Sequence, residues 1–194
     1  MGDKSAQKKQ YILQKARTVF MNRGYAGVTM KDIVDACEIS RGGLYLYFSS
    51  TAEIFQEVLH MESEETDDVF SSQIGEEPTV SDILAVFLKE QKKELLSRGD
   101  TLTVAKYEYF FENKVPKKDN LVRKQFDTAV KVLQKLIETG NENGEFSCAD
   151  PSGMARNIMY VLEGLKISAQ TMGITEETVD RELMYLMQGL GIEE

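Results

Sequence analysis

The chain has 194 residues, 42% of them hydrophobic, with three prolines, no tryptophan, a net charge of −9, and two cysteines, Cys37 and Cys148, without CxxC spacing. That length can bury a substantial core in one or two domains, and the composition favours a mostly helical protein. No apolar run reaches the roughly 18 residues of a membrane span, no apolar block follows the first lysines as in a signal peptide, and no disulfide or zinc pattern is spelled; the expectation is a cytoplasmic protein with reduced thiols, no metal and no cofactor.

Ile12, Ala16, Val19 and Phe20 recur at helical spacing and predict a first helix over about 7–23, which Gly24 ends as a C-terminal cap. Residues 1–31 carry seven basic side chains against one acidic, whereas residues 61–194 carry fifteen against twenty-six. A basic head on an acidic body is the asymmetry expected when one end meets phosphates. Thr29-Met30-Lys31-Asp32 then spells a capping box, with Met30, Ile33, Val34 and Cys37 on one face of a helix of about two turns. Ser40 is the next capping residue, so 37–40 form a tight turn between two short helices, which is helix-turn-helix spacing. Ser50-Thr51-Ala52-Glu53 is a second capping box ahead of a longer helix that carries Ile54, Phe55, Val58 and Leu59 on one side. Its acidic continuation, Glu62, Glu64, Glu65, Asp67, Asp68, Glu76 and Glu77, reads as a solvated helix end and a loop. Beyond Pro78 five more helices are predicted, near 80–97, 101–113, 118–140, 151–172 and 176–190, the fourth opened by Asp150-Pro151.

The stretch "SRGGLYLYF", residues 40–48, is unusual for a helix, because Gly42 and Gly43 each weaken it by about 1 kcal/mol relative to alanine. In a helix-turn-helix unit the second helix enters the major groove. Glycines there let the backbone come close to DNA, Arg41 can pair with a guanine edge, and Leu44 can touch a thymine methyl or pack inward with Phe48. Tyr45 and Tyr47 supply hydroxyls for phosphate oxygens. The competing reading is that the glycines only allow close packing and the tyrosines belong to the core.

In "TMKDIVDACEISRGGLYLYFSSTAEIF" the residues Thr29, Asp32, Ile33, Ser40, Gly42, Tyr45, Tyr47, Phe48 and Glu53 resemble the signature of the tetracycline-repressor (TetR) family of one-component bacterial regulators. The match covers about residues 9–60. The resemblance implies an all-α fold of about nine helices: an N-terminal three-helix helix-turn-helix DNA-binding domain, placed at 1–48, and a C-terminal helical ligand-binding and dimerisation domain at 49–194. It implies that Thr29, Ser40, Tyr45 and Tyr47 contact phosphates while Arg41, Gly42 and Gly43 face the groove. Lys31, Leu44 and Thr51 complete the expected DNA-binding set. Two positions depart from the family pattern. Glu38 stands where the turn usually carries glycine, which places a carboxylate near DNA and calls for a strained backbone. Thr51 stands where a phosphate-binding lysine is usual.

Helix 151–172 is apolar nearly all round, so it needs cover on two sides. By the resemblance, the last two helices pair with their copies in a four-helix bundle. The expected dimer interface is Met159, Leu162, Val179, Leu183, Leu186 and Leu190. A homodimer would read two half-sites of a roughly palindromic operator in double-stranded DNA. Aromatic residues on several body helices suit a small hydrophobic or aromatic effector, and Phe87, Gln91, Tyr107, Phe110, Phe111, Phe126 and Tyr160 are the expected lining. His60, the only histidine, reads as a partly exposed helix residue, and Cys37 as a small buried side chain rather than a thiol switch. An enzyme is disfavoured by the lack of a Glu-x-x-His pair or a Ser/His/Asp set, and a protein adaptor by the basic head.

Overall fold

In the computed structural model the backbone is described for residues 2–72, 77–97 and 101–192, and side chains for 4–63, 77–97 and 101–192. The described residues form nine helices and no strand. They are α1 (Gly2–Arg23), α2 (Met30–Cys37), α3 (Arg41–Tyr45), α4 (Thr51–Ser72), α5 (Val80–Leu96), α6 (Thr103–Glu112), α7 (Leu121–Glu142), α8 (Pro151–Thr171) and α9 (Glu176–Gly189). The predicted elements are all present with ends within a few residues, because most boundaries are written in capping chemistry. Gly24 leaves α1 at φ +73°, and its N–H donates to Phe20 O at 2.9 Å. Asp150 accepts from Gly153 N at 2.9 Å ahead of Pro151. The box at Ser50 forms only by half: Ser50 Oγ accepts from Glu53 N at 3.2 Å, but the Glu53 carboxylate turns back to Ser49 N at 2.7 Å. Of the acidic run after α4 begins, Glu62 pairs with Arg17 and Glu77 is exposed; the side chains of Glu64, Glu65, Asp67, Asp68 and Glu76 lie outside the described residues.

The chain divides into two compact units: Met1–Asp68 with Arg98–Val115, and Val69–Ser97 with Pro116–Glu194. The first contains α1, α2, α3 and α6 and most of α4. Its core joins Ile12, Ala16 and Phe20 of α1 to Ile33, Leu44, Phe48, Ile54, Phe55 and Val58. Burial of such side chains contributes on the order of 2 kcal/mol each, which is how a five-residue helix such as α3 is held in place. The helix α6 also belongs here. Its Glu108 accepts from Tyr25 N at 2.6 Å and Ala26 N at 3.0 Å in the turn after α1. One residue on, Tyr109 is buried, stands edge-on to Tyr25 with centroids 4.9 Å apart, and accepts from Gln56 of α4 at 2.6 Å.

The second unit packs α5, α7, α8 and α9 around Leu84, Leu88, Val130, Leu133, Ile137, Ile158 and Leu162. Its core also takes in every residue expected at a dimer interface: Met159, Leu162, Val179, Leu183, Leu186 and Leu190 are all buried within the single chain. That expectation is corrected: α5 and α7 cover this stripe, so it is not a surface. The face of α8 left open instead carries Tyr160 (64% exposed), Gly164 and Ile167 (44%), and Tyr185 (54%) projects from α9. No helix among the described residues is long and apolar enough to cross a membrane.

Candidate nucleic-acid interface

The helix-turn-helix is built by two caps and one strained residue. Thr29 Oγ1 accepts from Asp32 N at 3.4 Å while Thr29 N donates to Asp32 Oδ2 at 2.9 Å, so the expected capping box of α2 forms in full. Thr29 also donates its hydroxyl to Asp32 at 2.5 Å, and Arg23 reaches the other carboxylate oxygen at 2.5 Å. These bonds, the Thr29 hydroxyl first, hold the Asp32 carboxyl down to about 2. At the far end Glu38 sits at φ 53°, ψ 42°, in the left-handed region, the one non-glycine residue there among those described. Its N–H donates to Asp35 O at 3.3 Å, and Ile39 N donates to Val34 O at 3.3 Å. This is a Schellman closure with glutamate in the position that usually holds glycine. The strain expected from that departure is therefore present.

Ser40 caps α3, accepting from Gly43 N at 3.1 Å. The two glycines have different surroundings. A Cβ on Gly43 would stand 3.1 Å from Ser40 Oγ, so that glycine makes room for the cap, whereas a Cβ on Gly42 would meet nothing within 4 Å. Arg41 is exposed, and its guanidinium carbon lies 5.6 Å from the centre of the Tyr45 ring, itself exposed. Tyr47 is half-buried. Thr29 and Lys31 are exposed and Thr51, at the start of α4, is half-buried. Leu44 is the exception in the set: it is 0% exposed. Of the two readings open for Leu44, inward packing with Phe48 is the one the structure bears out, and contact with a thymine methyl is set aside.

Part of the basic head is used internally. Lys9 bonds Glu57 at 2.8 Å, Arg17 pairs with Glu62, and Arg23 with Asp32, so three of its cations hold α1 to α4 and to α2. Lys4, Lys8, Lys15 and Lys31 form no ion pair among the described residues, although Lys8 stands 4.9 Å from the Tyr11 ring centre. Sequence reading missed this division because the carboxylate partners lie 9–48 residues away. Cys37 is buried at the α2 end, and burial pushes its thiol up, away from the reactive thiolate. His60 is exposed.

The residues expected to line an effector pocket divide between the two units. In the first unit Tyr107 and Phe111 stack along α6 with centroids 6.3 Å apart, Phe110 packs edge-on to Tyr109, and Phe111 is 83% exposed. In the second unit Phe126 meets Tyr160 at 4.9 Å, and Phe87 lies partly buried against the core on the helix that carries Gln91. A groove in the second unit runs between α5 and α9, lined by Leu88, Lys92, Asp180, Leu183, Met184 and Met187, and none of the seven expected residues lines it.

Comparison with known proteins agrees with this geometry. Residues 12–58 match the family model "Bacterial regulatory proteins, tetR family", and residues 83–180 match "Tetracyclin repressor-like, C-terminal domain". The HTH-type transcriptional regulator YfiR of Bacillus subtilis is 32% identical over 141 residues, 72% of this chain and 68% of that protein. The HTH-type transcriptional repressor KstR2 of Mycolicibacterium smegmatis is 39% identical over 54 residues, 28% of this chain and 26% of that protein. A solved TetR transcription regulator from Haloarcula marismortui superimposes with a TM-score of 0.81 at 17% identity, covering 96% of this chain and 97% of that one.

Proposed function

The chain belongs to the TetR family of bacterial transcriptional regulators, which are DNA-binding proteins and not enzymes, and from that premise we propose that it is a repressor, bound as a homodimer to a roughly palindromic operator and released by a small effector. The observation that carries this reading is α3, a recognition helix capped by Ser40 with Arg41, Gly42 and Tyr45 on its open surface. Residues 1–48 hold the DNA, with Thr29, Ser40, Tyr45 and Tyr47 on phosphates and Arg41 on a base edge; residues 49–194 take the effector and form the dimer. The repressor role is supported by the description of the relative matched over the DNA-reading segment. The protein works in the cytoplasm, where its operator is.

Dimerisation uses the open faces of α8 and α9, with Tyr160, Ile167 and Tyr185 in place of the buried stripe, because these exposed apolar side chains are the ones with area left to bury. The effector is hydrophobic or aromatic, in keeping with the exposed aromatic ring of Phe111 on α6. Its signal reaches DNA through α6. That helix follows α5 and precedes α7 in the chain, and it grips the turn after α1 through Glu108 and α4 through Tyr109. Effector binding that moves α6 or α4 changes the separation of the two recognition helices. Linkage then requires DNA to weaken effector binding by the same factor.

Selection of bound duplexes from a random pool tests the DNA reading and yields the operator. The expected product is a sequence with two-fold symmetry and half-sites about one helical turn apart. An asymmetric or unselective pool would defeat the proposal. Titration of effector in the presence and absence of operator tests the release, and independent binding of the two would overturn it while leaving the fold untouched.

A further inference from the structure

The apolar base contact that was one of the two readings of Leu44 has another candidate two residues on. Leu46 is 83% exposed, against 0% for Leu44. Its backbone, at φ −69° and ψ −21°, prolongs α3, and its N–H donates to Gly42 O at 3.2 Å, so Leu46 stands one helical turn beyond Gly42 on the same face. A solitary exposed leucine is common on protein surfaces; its position is what distinguishes this one. A Cβ added at Gly42 would meet nothing within 4 Å, and one residue to the side the Arg41 guanidinium lies over the Tyr45 ring. The face thus offers open backbone at Gly42 with an exposed isobutyl group one turn further along the helix. Leucine has no donor for a phosphate oxygen. The apolar group that the major groove offers is the thymine C5-methyl.

We propose that Leu46 is a specificity-determining residue that recognises a thymine methyl in each half-site, with Gly42 providing the clearance for that base pair to approach. This inference rests on α3 being the DNA-reading helix. Arg41 and Leu46 then read different bases, the one by hydrogen bonds and the other by apolar contact, from the same turn of helix.

The test starts from the operator selected by the wild-type protein and replaces its thymines with deoxyuridine in symmetry-related pairs, which removes only the methyl. One pair is expected to weaken wild-type binding by about 4-fold per half-site, about 15-fold for both, the ratio that follows from burying one methyl-sized group each. Leu46→Ala is expected to bind the thymine and deoxyuridine operators alike, and Leu46→Met to keep part of the preference. Because Leu46 is exposed, the thermal unfolding of both variants should match the wild type. A deoxyuridine penalty that persists in Leu46→Ala overturns the proposal, since another side chain then reads the methyl. So does the absence of a penalty at every thymine, or a Leu46→Ala loss equal on all duplexes, which is the mark of a sugar contact. If no duplex is selected at all, the DNA reading itself fails and this inference falls with it.

Discussion

Replacing Glu38 by glycine should stabilise the protein and tighten DNA binding at once, and alanine at the same position separates the two effects. Glu38 is held at φ 53° by the closure of α2, a conformation that costs a non-glycine residue roughly 1–2 kcal/mol. Glycine removes that cost but brings extra freedom to the unfolded chain, worth about 0.4–1 kcal/mol. The Glu38 side chain is exposed and has no hydrogen-bond or ion-pair partner among the described residues, so its loss costs little. The net gain is about 0.5–1 kcal/mol, or a rise in Tm of about 1–4 °C for a chain of this size. Removing a carboxylate on the order of 10 Å from phosphates adds a few tenths of a kcal/mol, roughly a twofold gain in affinity per half-site at low salt. Glu38→Ala keeps the strained backbone and loses only the charge. It should therefore gain affinity without gaining stability. Thermal denaturation followed by circular dichroism and operator binding followed by fluorescence anisotropy measure the two quantities on the same samples. If Glu38→Ala raises Tm as much as Glu38→Gly, backbone strain is not the reason and the argument fails.

The remaining predictions concern the same head. Gly42→Ala should stabilise the protein by about 1 kcal/mol, because a Cβ there meets open space and helix propensity improves, yet weaken operator binding; equal or tighter binding would show that close approach is not needed. Arg41→Ala should relax preference at one base position, whereas Tyr47→Phe should weaken binding to all duplexes about equally, as competition against a panel of operator variants would reveal. Asp32 titrates near 2 in the folded protein, below the ordinary carboxylate value of 3.8. A depressed folded value gives stability that is present above about pH 4 and lost as pH falls towards 2, so urea unfolding should show a decline in that window that Asp32→Asn lacks.

The head was legible in the sequence because its information is local. Thr29 with Asp32, Ser40 with Gly43, and Gly24 after α1 each act within four residues, and a motif of that span can be read without knowing what lies nearby. Even the strain at Glu38 was visible, since a turn that calls for a left-handed residue does so whatever the packing. Local spacing left two readings open where the choice lay between two faces of one helix. Leu44 and Leu46 look alike in sequence, and only the packing of Phe20, Phe48 and Phe55 decides that the first is buried and the second free.

The body follows the same division more severely. Apolar periodicity predicted α5 to α9, because each helix needs one apolar stripe wherever it packs. Which neighbour covers each stripe depends on residues far apart in the chain. Leu162, Val179 and Leu186 could as well have met a second copy as Leu84 and Ile137, and the tertiary structure assigns them to the second unit's own core. The same holds for charge: the sequence placed a basic head on an acidic body, but only the folded chain pairs Lys9 with Glu57 and Arg17 with Glu62 and so separates cations that bind helices from those without an ion pair among the described residues. Helix identity, caps and the recognition turn are set by interactions between near neighbours, and the sequence determines them by itself. Burial, ion pairing and the Glu108 grip on the turn after α1 are long-range, and they were decided only when the helices packed.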